Sequence, residues 1–138
     1  MTASRLSLAQ AGIAYLAVLV ALAVLDGVWL GVLTKDLYRR EMGSLMADSF
    51  RAVPAILFYL LYPVALVYLV LCNQPAGWLD AALRSAVLGL AAYGAYNLTN
   101  LAIVRGWPVG LSLIDLTWGG VVSALAGSVG YWASWGRA

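Results

Sequence analysis

Histidine is absent from the 138 residues and cysteine occurs once, as Cys72. The first absence removes haem ligation through His, zinc sites built on His, and every Ser–His or Cys–His catalytic pair. The second excludes an internal disulfide. Charge is also scarce: 10% of residues are Asp, Glu, Lys or Arg while 64% are hydrophobic. A soluble domain of this size carries about 25% charged residues to cover its wet surface. This chain cannot do so, and lipid is its expected solvent. A net charge of +2, with no basic patch beyond Lys35, Arg39 and Arg40, gives no reason to expect nucleic acid as a partner. Acid–base chemistry, if any, falls to Asp, Tyr, Arg or Lys.

What the sequence does have is long apolar runs. About 20 apolar residues cross the hydrocarbon core as a helix, since a lipid-exposed backbone must satisfy its own hydrogen bonds. Four runs qualify, at 8–33, 53–72, 82–104 and 109–135. They predict an all-α integral membrane protein in a single domain over 1–138, an antiparallel bundle of four transmembrane helices. The first run is too long for a signal-peptide core and no small-residue cleavage site closes it, so it reads as an uncleaved span. "NQPAGWLD" (73–80) and "RGWP" (105–108) are short turns. The long connection, 34–52, holds most of the charge, and Tyr38, Met42, Leu45, Met46 and Phe50 recur there near helical spacing. That predicts a short amphipathic helix on the membrane surface. Lys and Arg bias places loop 34–52 in the cytoplasm and both termini outside.

Trp78, Trp107, Trp132 and Trp135 stand at run ends, where an amphipathic ring suits the headgroup level. Tyr15, Tyr68 and Tyr131 are read as interfacial anchors in the same way. Gly119, Ser123 and Gly127, with Gly120, Ala124 and Ser128 beside them, recur every four positions and make a smooth face for close helix approach.

Trp29 and Trp118 fall outside the belt, and each follows an intramembrane Asp by three residues, in "LDGVWLG" (25–31) and "IDLTWGG" (114–120). At about 1.5 Å rise per residue, Asp26 lies roughly 13 Å below the long-loop face, counted from Lys35. Asp115, counted from Trp107, and Asn97, counted from Arg105, lie roughly 12 Å below it, and Tyr59 at a similar depth. Each span thus delivers a polar group to one level. Tyr93, Tyr96, Asn97 and Asn100 follow the i, i+3, i+4, i+7 rule and form one stripe, and Tyr59 and Tyr62 share a face. The N-x-T pattern at Asn97 lies within a span and is no glycosylation site.

An Asp near a span's centre costs about 2.5–3.5 kcal/mol on insertion scales, and such residues face the bundle interior. Each is either protonated, or ionised and held by Trp N–H, Tyr O–H and Asn N–H donors. Spans one and four run in opposite directions, so packed side by side each Asp is expected to meet the other's Trp. The bland reading is polar glue that fixes the register of the helices and binds nothing.

"LDGVWLG" followed by "KDLYRREMG", with "LFYLLYP" (57–63), "YGAYNLTN", "RGWP" and "IDLTWGG", resembles a family of small four-span bacterial membrane proteins, domain of unknown function 2177. The resemblance covers nearly the whole chain and implies a multi-pass protein of the bacterial inner membrane. It implies no activity. The family pattern has Asp where this chain has Asn97, which puts in doubt any mechanism needing three acids. The leading expectation is binding or transport of a small amphipathic or cationic molecule, with no cofactor or metal. Its pocket would draw on Asp26, Trp29, Tyr59, Tyr62, Tyr93, Tyr96, Asn97, Asn100, Asp115 and Trp118. Carboxylates among aromatic faces suit an organic cation. The alternatives are an intramembrane enzyme acting on a lipid or isoprenoid, with Asp26 or Asp115 as acid–base, and an accessory subunit docking a homodimer or another membrane protein.

Overall fold

A computed structural model of the chain describes residues 5–46 and 51–137, and among them it contains helices and no strands. Four helices are long and apolar enough to cross a membrane: Leu8–Leu33, Ala52–Leu71, Trp78–Ile103 and Val109–Ser134. These match the four runs of the sequence. We label the α-helices α1 (Leu8–Val28), α2 (Lys35–Met42), α3 (Ala52–Leu66), α4 (Trp78–Ile103) and α5 (Val109–Ser134).

Each boundary has a local cause. Ser7 caps α1 with a reciprocal pair: its hydroxyl accepts from the Gln10 N–H at 3.1 Å, and its own N–H donates to the Gln10 side chain at 2.9 Å. Helix α4 starts at Trp78, four residues before the apolar run at 82–104, because the polar turn before it is already helical. Asp80 accepts from the Ala76 N–H at 2.9 Å and pairs with Arg84 one turn on, also at 2.9 Å. Gly106, at φ +77°, makes the reversal between α4 and α5, which a Cβ would strain. The amphipathic helix of the long connection forms over Lys35–Met42. It stops at Gly43 (φ +53°), so Leu45 and Met46 are exposed rather than part of its apolar face, and Phe50 lies outside the described residues.

Two features were not foreseen. Spans one and two end in π-helical turns, Trp29–Leu33 and Val67–Leu71, closed by Thr34 N–H to Trp29 O (2.8 Å) and Cys72 N–H to Val67 O (2.7 Å). Pro63 lies inside α3, where it lacks an N–H and its ring presses on the preceding turn. In that turn Leu60 O accepts from the Tyr15 hydroxyl at 2.9 Å. Tyr15 therefore ties span one to span two rather than anchoring in the headgroups. Trp135 likewise uses its indole N–H, 2.7 Å from Leu71 O, to satisfy the end of span two.

Helix α5 is the centre of the bundle and the most buried span. It packs along α4 and against α1, and α3 leans on α1. The small face of α5 makes the α4 contact: a Cβ on Gly119 would overlap the Tyr93 ring, and one on Gly127 would overlap Ser85. Helix α4 answers with Gly89, where a Cβ would strike the Gly119 carbonyl and Ser123. Leu22, Leu66, Leu71 and Val122 fill the dry core, while Leu16, Val20, Leu57, Leu61, Leu83 and Val87 point outward, as lipid-facing side chains should. Span two and α4 meet at the Val67–Leu71 end. Along Ala52–Leu66 their backbones stand apart, and aromatic rings fill the interval.

Candidate functional site

The two Asp residues sit in neighbouring hydrogen-bond clusters. Asp26 on α1 is 5% exposed. Its Oδ1 accepts from the Trp118 indole N–H at 2.7 Å and its Oδ2 from the Tyr59 hydroxyl at 2.6 Å. One carboxyl thus joins spans one, two and four. Asp115 on α5 is half-buried. Its Oδ2 accepts from the Asn97 side-chain N–H at 2.7 Å, and its Oδ1 from the Tyr38 hydroxyl at 2.7 Å. The Asn97 amide also reaches Tyr93 O at 2.9 Å, one turn back on α4. Every partner of the four carboxylate oxygens is an N–H or O–H group able to donate.

The expected exchange of Asp and Trp is met in one direction and relayed in the other. Trp118 reaches Asp26 directly. Trp29 does not reach Asp115; its indole N–H lies 3.4 Å from the Tyr38 hydroxyl, which in turn donates a hydrogen bond to Asp115. The two indoles stack with centroids 4.3 Å apart and planes within 2°. Tyr38 comes from the surface helix α2 and was absent from the residues expected at the site. Its place on the inward face of an amphipathic helix was visible, but not how deep that helix would reach. Burial, then the bond to Asp115, pushes the Tyr38 phenol pKa upward, so the group stays a donor.

Beside Asp115 a half-open cavity of about 260 Å³ lies between spans two and three. Its walls are Phe58, Tyr59, Ala92, Tyr93, Tyr96 and Asp115. Phe58 also went unmarked in the sequence, since an apolar ring carries no polar signal. It stacks on Tyr62 at 5.3 Å and meets Tyr59 edge-on at 5.4 Å. Tyr62 is buried and shares a hydrogen bond of 2.6 Å with Ser123, which places it in the wall's foundation rather than on its surface. Asn100 continues the α4 stripe, but among the described residues no hydrogen bond links its side chain to either cluster. Tyr96 is exposed at the rim and packs edge-on against Trp107 at 5.6 Å.

No Lys or Arg pairs with either Asp among the described residues; the ion pairs there are Arg84–Asp80 and a 4.0 Å contact between Arg40 and Glu41. Nor do three or more His, Cys, Asp or Glu residues converge there in a way that could hold a metal.

A family model described as "Predicted membrane protein (DUF2177)" matches residues 11–132. The chain belongs to this family. It is a polytopic membrane protein with four candidate spans, in agreement with the resemblance read from its motifs. Comparison with curated proteins finds no match, and comparison with solved structures finds none either.

Proposed function

Starting from membership of that membrane-protein family, we propose that this chain binds a small amphipathic or cationic molecule in the cavity beside Asp115, and moves it where the membrane demands. One observation carries the reading: a cavity of about 260 Å³ walled by four aromatic rings, Ala92 and a single carboxylate. Aromatic faces and a carboxylate attract the same ligand, an organic cation, through ring quadrupoles and charge. The donors around Asp115 suit an ionised carboxylate, and no basic side chain among the described residues supplies its counter-charge. Two of its lone-pair directions remain for a ligand.

A second reading is favoured at Asp26, where a carboxyl only 5% exposed joins three spans. There the polar group is glue, and the ligand role belongs to Asp115. The test is calorimetric titration of the purified protein in phosphatidylglycerol nanodiscs with dodecyltrimethylammonium, empty discs being subtracted. Saturable binding that weakens at least tenfold in Asp115→Asn supports the reading. Equal affinity in wild type and Asp115→Asn removes Asp115 from the site, and absence of binding in wild type removes the function.

A further inference from the structure

We infer that the ligand reaches this cavity sideways, from the bilayer between spans two and three, and is a single-chain amphiphile with an ammonium head. The inference rests on the reading above and adds the route and the tail.

Among the described residues, side chains cover the aqueous side of Asp115. Helix α2 lies over the long-loop end of the bundle, and its Tyr38 occupies the Oδ1 side of Asp115 at 2.7 Å. Next to Tyr38, the stacked Trp29 and Trp118 rings fill the space between spans one and four. The charge on that face also opposes a free cation. In sequence, the connections at that end, 34–52 and 105–108, carry Lys35, Arg39, Arg40, Arg51 and Arg105 against Asp36, Glu41 and Asp48, five basic groups to three acidic.

The lipid route is barred by side chains alone. Span two touches α4 at its Val67–Leu71 end, and the two separate over the stretch that holds Phe58 and Tyr59. Phe58 is 39% exposed and Tyr96 52% exposed, one on each side of this gap. Both line the cavity and belong to membrane-spanning helices, so the part of each ring that faces away from the cavity meets lipid. Their rings form a lateral doorway with Asp115 behind it.

Size fixes the rest. Drug-sized ligands occupy about 300–1,000 Å³, and about 260 Å³ holds a head and its first methylenes. A longer tail stays outside, among the lipid chains. That arrangement needs no aqueous passage and leaves the tail in its hydrocarbon solvent.

The experiment compares two probes on the wild-type protein in phosphatidylglycerol nanodiscs, which contain no ammonium headgroup. Dodecyltrimethylammonium has the head and a tail; tetramethylammonium has the head alone. Affinities are referenced to each probe's concentration in its own phase, with empty discs subtracted. The expected result is saturable binding of the dodecyl probe, at least tenfold tighter than tetramethylammonium on that scale. A second arm reverses charge on the aqueous side with Arg39→Glu, an exposed position of α2 outside the site, which should leave the dodecyl on-rate within twofold. If tetramethylammonium binds as tightly, or Arg39→Glu speeds dodecyl binding tenfold, the lateral route is wrong while the binding site stands. If neither probe binds wild type, the site itself is wrong and this inference goes with it.

Discussion

Asp26 and Asp115 begin from the same D-x-x-W-x-G spacing and end in different situations. Asp26 is closed in by span side chains, whereas Asp115 looks onto a cavity and takes one bond from outside the spans. The antiparallel arrangement accounts for the difference. In span one the Asp is deeper than its Trp, measured from the long-loop face, and in span four the Trp is deeper than its Asp. The deep pair, Asp26 and Trp118, meets where spans one, two and four converge. The shallow pair, Trp29 and Asp115, lies where a surface helix can reach, and Tyr38 enters between them. Depth, not motif, separates the closed carboxyl from the one beside the cavity.

The sharpest way to break this comparison is to delete each carboxyl. Asp26→Ala leaves the Trp118 N–H and the Tyr59 O–H without an acceptor in an apolar setting. Orphaned polar groups cost about 1–3 kcal/mol each, while interhelical bonds in membranes average about 0.6 kcal/mol. The larger range applies because both donors are held by packing, so a loss of about 2–4 kcal/mol is expected in denaturant unfolding in detergent. Span two should loosen most at Tyr59, which loses its tie to span one, while the Tyr62 bond to Ser123 and the packing of Leu66 and Leu71 still hold its remainder. Stability within 0.5 kcal/mol of wild type, by the same roughly ±0.5 kcal/mol standard used for neutral surface changes, would deny Asp26 its structural role.

The α4–α5 seam under the Asp115 cluster predicts the next largest effect. Gly119→Ala forces a methyl into the Tyr93 ring, and overpacking of this kind costs about 1–3 kcal/mol. It should also shift the Tyr93 wall of the cavity and weaken ligand binding. Gly27→Ala is the control: a Cβ there meets nothing within 4 Å, and Ala is favoured over Gly inside a helix by roughly 0.5–1 kcal/mol. The pair should move thermal midpoints in opposite directions. A drop in both would mean that Gly119 is there for flexibility rather than close approach.

The sequence reveals the deep half of this molecule better than the shallow half, for physical reasons. A run of apolar residues has one stable solution in lipid, so the four spans and their antiparallel order follow from length alone. A buried Asp must find donors, so Asp26, Tyr59, Trp118, Asn97 and Asp115 are drawn to one layer. The small face of α5 is legible because only Gly and Ser let backbones approach so closely. Apolar cavity walls carry no such obligation, which is why Phe58 gave no sign. Tyr38 was hidden because the reach of a surface helix depends on how the loop folds back, and Gly43 and the π turn at Trp29–Leu33 set that together. Tyr62 shows the converse: its polarity marked it for the site, yet Ser123 had already claimed its hydroxyl.

Asp115→Asn sharpens the comparison from the other side. The amide keeps the size and one acceptor oxygen, and the α4–α5 seam holds the two helices together without the carboxylate. Stability should change by less than about 1 kcal/mol, within the range of a single net hydrogen bond. Cation affinity should fall at least tenfold, about 1.4 kcal/mol. Asp26→Asn should show the reverse pattern, with stability lower and affinity nearly intact. Equal losses of affinity at both positions would merge the two clusters into one site.

The smallest effect tests the relay through Tyr38. Tyr38→Phe removes the donor to Asp115 and the acceptor for Trp29 but keeps the ring on the bundle, so its cost near neutral pH should be about 0.5 kcal/mol, the low end for a partly exposed hydrogen bond. Its pH dependence is more telling. Burial and the bond to Asp115 raise this phenol above the ordinary value of 10.0, so the folded protein holds the proton more tightly than the unfolded chain. The stabilisation is complete below pH 10.0 and is lost as the pH rises above that value, where the unfolded chain releases its proton first. Tyr38→Phe has no phenol to titrate, so its deficit relative to wild type should shrink as unfolding is measured at increasing alkalinity. A deficit that grows instead would mean that Tyr38 ionises readily in the folded state, and that the roof over Asp115 is open to water.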